Sequence, residues 1–108
     1  DRRIIAGILL HRIAIGMRLQ VDAPFVYTLG KGSLELLQSD LESDSLYNTY
    51  RHEGLPPTPI GNPGLDAIRA VLEPTKTEYL YYLSERDGTM HYAKTFDEHK
   101  KNKLKYLP

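Results

Sequence analysis

The sequence predicts an α+β fold, mainly helical with a small antiparallel β-hairpin. Three observations predict it. Apolar residues recur at helical spacing near the start, in Ile4, Ile5, Ile8, Leu9 and Ile13. An aromatic run from Glu78 to Ser84 is followed by Asp87-Gly88 and then by Met90 to Ala93, the pattern of a hairpin. Thr95 and Glu98 stand three apart ahead of a polar stretch, as in a capping box.

The first helix is expected from Asp1 to about Ile15, with Gly16 as its C-terminal stop. Residues 17–32 read as loop or short extended structure, closed by Gly30 and Gly32. Ser33 to Leu41 reads as a short helix with Leu34, Leu37 and Leu41 on one face. Tyr47 to Gly64 (YNTYRHEGLPPTPIGNPG) reads as a long ordered loop, the kind of segment that usually carries function. Pro56, Pro57, Pro59 and Pro63 fix φ and remove backbone donors, so the loop should be stiff and extended. Asn62 suits the N-cap of the next helix and Pro63 its first position. Leu65, Ile68 and Leu72 form its apolar stripe, and Pro74 ends it. The hairpin follows, with Asp87-Gly88 as a two-residue turn, and a last helix should run from Phe96 to about Leu104.

At 108 residues the chain is one domain or part of one. Hydrophobic residues make up 41%, enough for a modest core. Lys plus Arg equals Asp plus Glu at 14 each, which argues against a nucleic-acid partner. Lys100, Lys101, Lys103 and Lys105 read as a solvated helix face. The absence of cysteine excludes disulfides, Cys-ligated metals and thiol catalysis. No apolar run reaches the length of a membrane-spanning helix. His11, His52, His91 and His99 are scattered without ligand spacing, so no metal site is expected. Gly30-Lys31-Gly32-Ser33 lacks the spacing of a phosphate-binding loop, and no serine sits in a G-x-S-x-G elbow.

Tyr47, Asn48, Thr49 and Tyr50 bring ring faces, hydroxyls and an amide to the stiff loop, the groups that grip a sugar; a plain ordered linker is the other reading. Were the segment extended, Tyr47 and Thr49 would face one way and Asn48 and Tyr50 the other. One ring would then brace the loop while the other side lines a cleft. Asn48 is the better ligand candidate, because an amide both donates and accepts. Gln20 and Asp22 flank Val21 and would share a face in an extended segment, or else cap nearby amides. Asp40 and Asp44 read as helix-end or turn residues.

Several ordered blocks then carry a resemblance. DSLYNTYRHEGLPPTPIGNPGLDAI resembles D-S-P-Y-N-T-Y, G-L-P-P-G-P-I and the N-P-G helix start of the MltG (YceG-like) endolytic murein transglycosylases. HRIAIGMRLQVDAPFVYTLG resembles N-R-L-x-I-G-M-x-L-Q-S-D-P-T-V-I-Y-A-L-G of the same family. PTKTEYLYYLSERDGTMHYAKTFDEH resembles P-A-K-T-x-Y-L-Y-F-V-x-x-x-D-G-x-H-x-F-S-K-T-x-x-E-H. The likeness runs in register from about Asp1 to His99. It departs at His11 (usually Asn), Val21 (usually Ser or Thr), Ala23 (usually Pro) and Thr58 (often Gly).

The resemblance implies the C-terminal portion of a transglycosylase-type, lysozyme-like catalytic domain, residues 1–108. It implies binding of peptidoglycan glycan strands and, in the parent protein, cleavage between N-acetylmuramic acid and N-acetylglucosamine with a 1,6-anhydro product. It implies a parent anchored at the extracytoplasmic face of the bacterial cytoplasmic membrane by one N-terminal helix. A LysM-like region and an acid/base Glu in an S-I-x-E-x-E motif would lie upstream, so no catalytic residue is assigned within this chain. Gln20, Asp22, Tyr27, Tyr47, Asn48, Thr49 and Tyr50 are the expected substrate-facing residues, with Leu55, Pro56 and Pro57 holding the wall. No cofactor is implied; peptidoglycan synthase or division proteins are the implied protein partners. Two rivals remain: a non-catalytic interaction module, and an aminodeoxychorismate lyase, for which the sequence offers no support.

Overall fold

The computed structural model describes residues 2–32 and 35–107. Its elements run α1 (Arg2–Ala14), α2 (Ala23–Leu29), α3 (Gln38–Leu41), α4 (Leu65–Leu72), β1 (Tyr81–Ser84), β2 (Met90–Ala93) and α5 (Phe96–Tyr106). Two units form: one takes the chain up to His11 and again from Gly64, the other comprises Arg12–Pro63. The mainly helical α+β class with one small antiparallel sheet is the class expected.

In the first unit, α1 lies along the segment that leads into the hairpin. The Thr75 N–H donates to the Arg3 carbonyl at 3.1 Å, and His11 Nδ1 donates to the Tyr79 carbonyl at 3.1 Å. Midway between them, Gly7 approaches so closely that a Cβ there would sit 2.0 Å from the Thr75 oxygen. Arg3, Gly7 and His11 stand four apart, hence on one helix face. The spacing matches: eight helical residues and four extended ones each span about 12–13 Å. An Asn at position 11 could donate to the same carbonyl, so His11 is a chemically conservative departure. Ile8 is fully buried and Ala6 nearly so, while Leu10 is exposed.

The strands pair antiparallel with Tyr81 opposite Ala93, Tyr82 opposite Tyr92, Leu83 opposite His91 and Ser84 opposite Met90. Tyr81, Leu83, His91 and Ala93 share the face that meets α5. There Tyr81 stacks on His99 with centroids 5.0 Å apart, and His91 stacks on Tyr106 at 3.5 Å. Leu83 and Ala93 are buried beneath them. On the other face Tyr79 stacks on Tyr92 at 5.4 Å, and burial pushes the Tyr92 phenol above its ordinary range. α5 starts as expected, with the Thr95 hydroxyl accepting the Glu98 N–H at 3.2 Å, and it runs two residues further. Its lysines are exposed.

The turn differs from the two-residue form expected. Glu85 N–H donates to Thr89 at 2.9 Å and Gly88 N–H to Glu85 at 2.9 Å, with Gly88 at φ +91. That is a three-residue loop with a left-handed closing residue. The Asp87 carboxylate accepts the Thr89 N–H at 2.9 Å, a bond that a two-residue turn would not offer.

α4 starts at Leu65 with Gly64 as N-cap, two residues later than Asn62-Pro63 suggests. Its expected apolar stripe faces out: Leu65, Ile68 and Leu72 are 62%, 43% and 76% exposed. Ala70 is the buried position instead.

In the second unit, α1 ends in a Schellman motif. Met17 N–H donates to Arg12 and Gly16 N–H to Ile13, with Gly16 at φ +74. The expectation of loop across residues 17–32 is corrected, because α2 lies inside it. Asp22 occupies its N-cap position, Pro24 its first turn and Gly30, at φ +67, its end. Of the helix expected over Ser33 to Leu41, α3 is the part that forms; Ser33 and Leu34 lie outside the described residues, and Leu37 is exposed. Asp40 does serve a helix end: its carboxylate accepts the Leu37 N–H at 2.9 Å and pairs with Lys31 at 3.1 Å. These contacts hold it below the usual carboxylate range, the Leu37 amide first.

Candidate functional site

The site is built in the second unit from the segment before α2, from α2 itself and from the Pro-rich loop. Leu19, Pro24 and Phe25 supply the buried apolar floor, and buried Arg12 donates from Nη1 to the Leu19 carbonyl.

Thr49 ties the segments together. Its hydroxyl donates to the Val21 carbonyl at 2.9 Å and accepts the Val21 N–H at 3.0 Å. Its carbonyl accepts the Gln20 N–H at 3.2 Å. Position 21 is thus held by backbone alone, and the side-chain hydroxyl missing from Val21 plays no part in the tie. Gln20 lies at φ +53 with its side chain exposed. The segment is therefore not extended, and Gln20 and Asp22 do not share a strand face.

Asp22 makes no side-chain cap to α2. It accepts the Tyr50 hydroxyl at 2.5 Å, and the Tyr50 ring stacks on Phe25 with centroids 6.3 Å apart. Tyr50 is the inward, bracing ring. Tyr47 goes elsewhere: it pairs with Tyr27 at 5.9 Å, and its hydroxyl shares a 2.8 Å hydrogen bond with Thr58. Tyr27 is 55% exposed. The separation of the two tyrosines was expected from strand alternation, but turns produce it, since Asn48 N–H bonds to Ser45 and both Arg51 and His52 bond back to Asn48.

Asn48, expected as the amide ligand, sits inside the loop at 0% exposure. Its Nδ2 donates to the Leu41 and Ser43 carbonyls at 2.9 and 2.8 Å, and its Oδ1 accepts the Tyr50 N–H at 3.0 Å. Both donors and the acceptor are in use within the protein, so the geometry gives Asn48 the role of a brace. Arg51 adds a strut, donating to the Glu42 carbonyl at 2.8 Å and pairing with Asp44 at 3.2 Å.

Two shallow cavities flank this framework. One of about 380 Å³ is apolar and lined by Val21, Pro24 and residues 55–60. The other, about 510 Å³, is lined by Ala23, Val26, Tyr27, Ile60 and Gly61. Leu55, Pro56 and Pro57 are part of the lining of the first cavity. Thr58, Ile60 and the exposed face of α2 were missed; the start and stop signals Asp22, Pro24 and Gly30 could have revealed that face. Among the described residues no group of three or more His, Cys, Asp or Glu side chains could hold a metal ion. The exposed Tyr27 ring, backed by half-buried Tyr47, stands beside one open cavity.

Fold and site together define a class: an α+β chain with an aromatic- and proline-lined surface beside two shallow cavities. The chain belongs to the YceG-like family, whose match covers residues 1–105. It is 44% identical over 107 residues to a Bacillus subtilis (strain 168) protein named endolytic murein transglycosylase, covering 99% of this chain and 30% of that protein. A protein of the same name from Streptococcus pneumoniae serotype 2 (strain D39) is 33% identical over 113 residues, covering 99% and 20%. The crystal structure of a yceG-like protein from Listeria monocytogenes superposes with a TM-score of 0.86 at 44% identity, covering 94% of this chain and 33% of that one. The chain thus spans about a third or less of the relatives it matches.

Proposed function

We propose that this chain forms a glycan-binding wall of an endolytic murein transglycosylase. One observation carries the reading: Tyr27, exposed and paired with half-buried Tyr47, borders an open cavity on a framework braced by buried Asn48 and Thr49. The family relationship supplies the substrate class, peptidoglycan glycan strands. Tyr27 and Tyr47 offer faces for sugar rings, and residues 55–60 hold the apolar wall. Asp22, Thr49 and Tyr50 support the site from behind.

In the whole protein, a Glu outside this chain would protonate the glycosidic oxygen and then take the proton of the muramoyl C6 hydroxyl. That hydroxyl closes on C1 to give the 1,6-anhydro end. No water is consumed, so one carboxyl group serves as acid and then as base. A partly apolar setting would keep it protonated beforehand. The parent would work from the outer face of the cytoplasmic membrane, beside peptidoglycan synthase or division proteins.

The test is co-sedimentation with purified peptidoglycan. Tyr27→Ala should weaken binding by about 1 kcal/mol, the scale of one stacking contact, at a temperature where the variant stays folded. The 108-residue chain alone should release no anhydromuropeptides detectable by mass spectrometry. Turnover by the pure chain would place the acid/base inside it and sink that part of the proposal. A second reading, a module that docks a protein, draws on the exposed Leu65, Ile68, Val71 and Leu72 of α4. Ile68→Glu would then abolish protein capture while leaving peptidoglycan binding unchanged.

A further inference from the structure

Gln20 is the one non-glycine residue at positive φ among the described residues. Its backbone sits in the left-handed region, where a Cβ is disfavoured and which glycine would adopt freely. Strain of this kind persists only where surrounding structure over-determines it, and it concentrates at functional sites. The over-determination is visible. Gln20 N–H is held by the Thr49 carbonyl, and both backbone groups of the next residue, Val21, are held by the Thr49 hydroxyl. Thr49 is itself 2% exposed, so the clamp is built into the interior. Next to it, the Tyr50 hydroxyl grips Asp22. Three consecutive residues, 20 to 22, are therefore gripped by residues 49 and 50, and the one strained member leaves its side chain in solvent.

The side chain so presented is a primary amide. It carries two donors and an acceptor that can lie in one plane. Its natural complement is a secondary amide, which offers one N–H and one carbonyl. In the sugar polymer proposed above, that group is the acetamido substituent. The other amide of this region, Asn48, is saturated by backbone partners and cannot serve. Val21, next in the chain, lines the apolar cavity of about 380 Å³, whose Pro and Ile walls would suit the acetamido methyl.

Resting on the glycan reading, we infer that Gln20 is the acetamido-recognising residue of the groove and that Thr49 is its positioning residue. The left-handed backbone at position 20, held by Thr49, sets where the exposed carboxamide stands.

The test uses the full-length protein and two neutral probes: the N-acetylglucosamine tetrasaccharide and cellotetraose, which carries hydroxyls where the first has acetamido groups. The wild-type protein should prefer the acetylated probe by about 5-fold, the worth of one net hydrogen bond. Gln20→Gly should bring that ratio to about one while Tm holds or rises, because the strain is relieved. Thr49→Val should also reduce the ratio, and Thr49→Ser, which restores the hydroxyl, should recover it. Tyr27→Ala should weaken both probes alike and leave the ratio intact. A wild-type protein without the preference, or a Gln20→Gly protein that keeps it, overturns the assignment. If Tyr27→Ala changes neither affinity while Gln20→Gly erases the preference, the aromatic wall is refuted and the Gln20 assignment stands.

Discussion

Asn48 and Gly7 show how much a single position can carry in a chain of this size. Asn48→Ala would leave two carbonyls and one N–H without partners in a fully buried place. Urea unfolding should report a loss of about 3 kcal/mol, within the range for breaking a buried network, while peptidoglycan binding per folded molecule stays unchanged. Selective loss of binding at unchanged stability would restore Asn48 as a ligand. Gly7→Ala would force the Thr75 carbonyl away from α1. The expected cost is about 2 kcal/mol, typical of an overpacked contact. The sequence made the chemistry of residues 47–50 legible by residue type alone. It could not say which polar atoms find partners inside, since the carbonyls of Leu41 and Ser43 that claim Asn48 carry no side-chain signal. Gln20 was legible as a candidate, but the φ that distinguishes it was not, because glutamine gives no hint of a left-handed backbone.

At the scale of elements, local signals were read well where they were self-contained. The Thr95 cap, the Gly16 stop and the strand after Asp87-Gly88 form as expected, while β1 starts at Tyr81, three residues later than Glu78. Failures came where tertiary context decides. The apolar stripe of α4 forms but is exposed; α2 is one short helix inside a stretch that reads as loop. The hairpin turn offers two tests. Gly88→Val at φ +91 should cost roughly 1 kcal/mol or more, without altering glycan affinity at temperatures where the protein stays folded. The Thr89 N–H bonded to Asp87 lowers that carboxyl below its ordinary 3.8. Its folded value is depressed, so its stabilising contribution is complete above pH 3.8 and is lost as pH falls through the folded value. Asp87→Asn keeps the acceptor and removes the titration. Acid unfolding followed by circular dichroism should then lose part of its steepness below pH 3.8, with Asp40 supplying the same sense of dependence in the other unit.

For the whole molecule, the informative feature is the route of the chain. The first unit is discontinuous, closed by α1 residues against Thr75 and Tyr79, whereas Arg12–Pro63 is one uninterrupted stretch. Contacts distant in sequence require a long loop to close before they reward it. A ribosome therefore releases Arg3, Gly7 and His11 long before their partners exist. Arg12–Pro63 contains the ties made by Thr49 and Asn48 within itself and can mature on the emerging polypeptide. Nascent chains stalled once Pro63 has cleared the exit tunnel should protect amides of residues 20–52 from deuterium exchange. The amides of Ile4 to Leu9 should stay labile until Tyr79 follows. The stretch from Arg12 to Pro63 would then be finished first, while the unit that holds the hairpin waits for Thr75 and Tyr79.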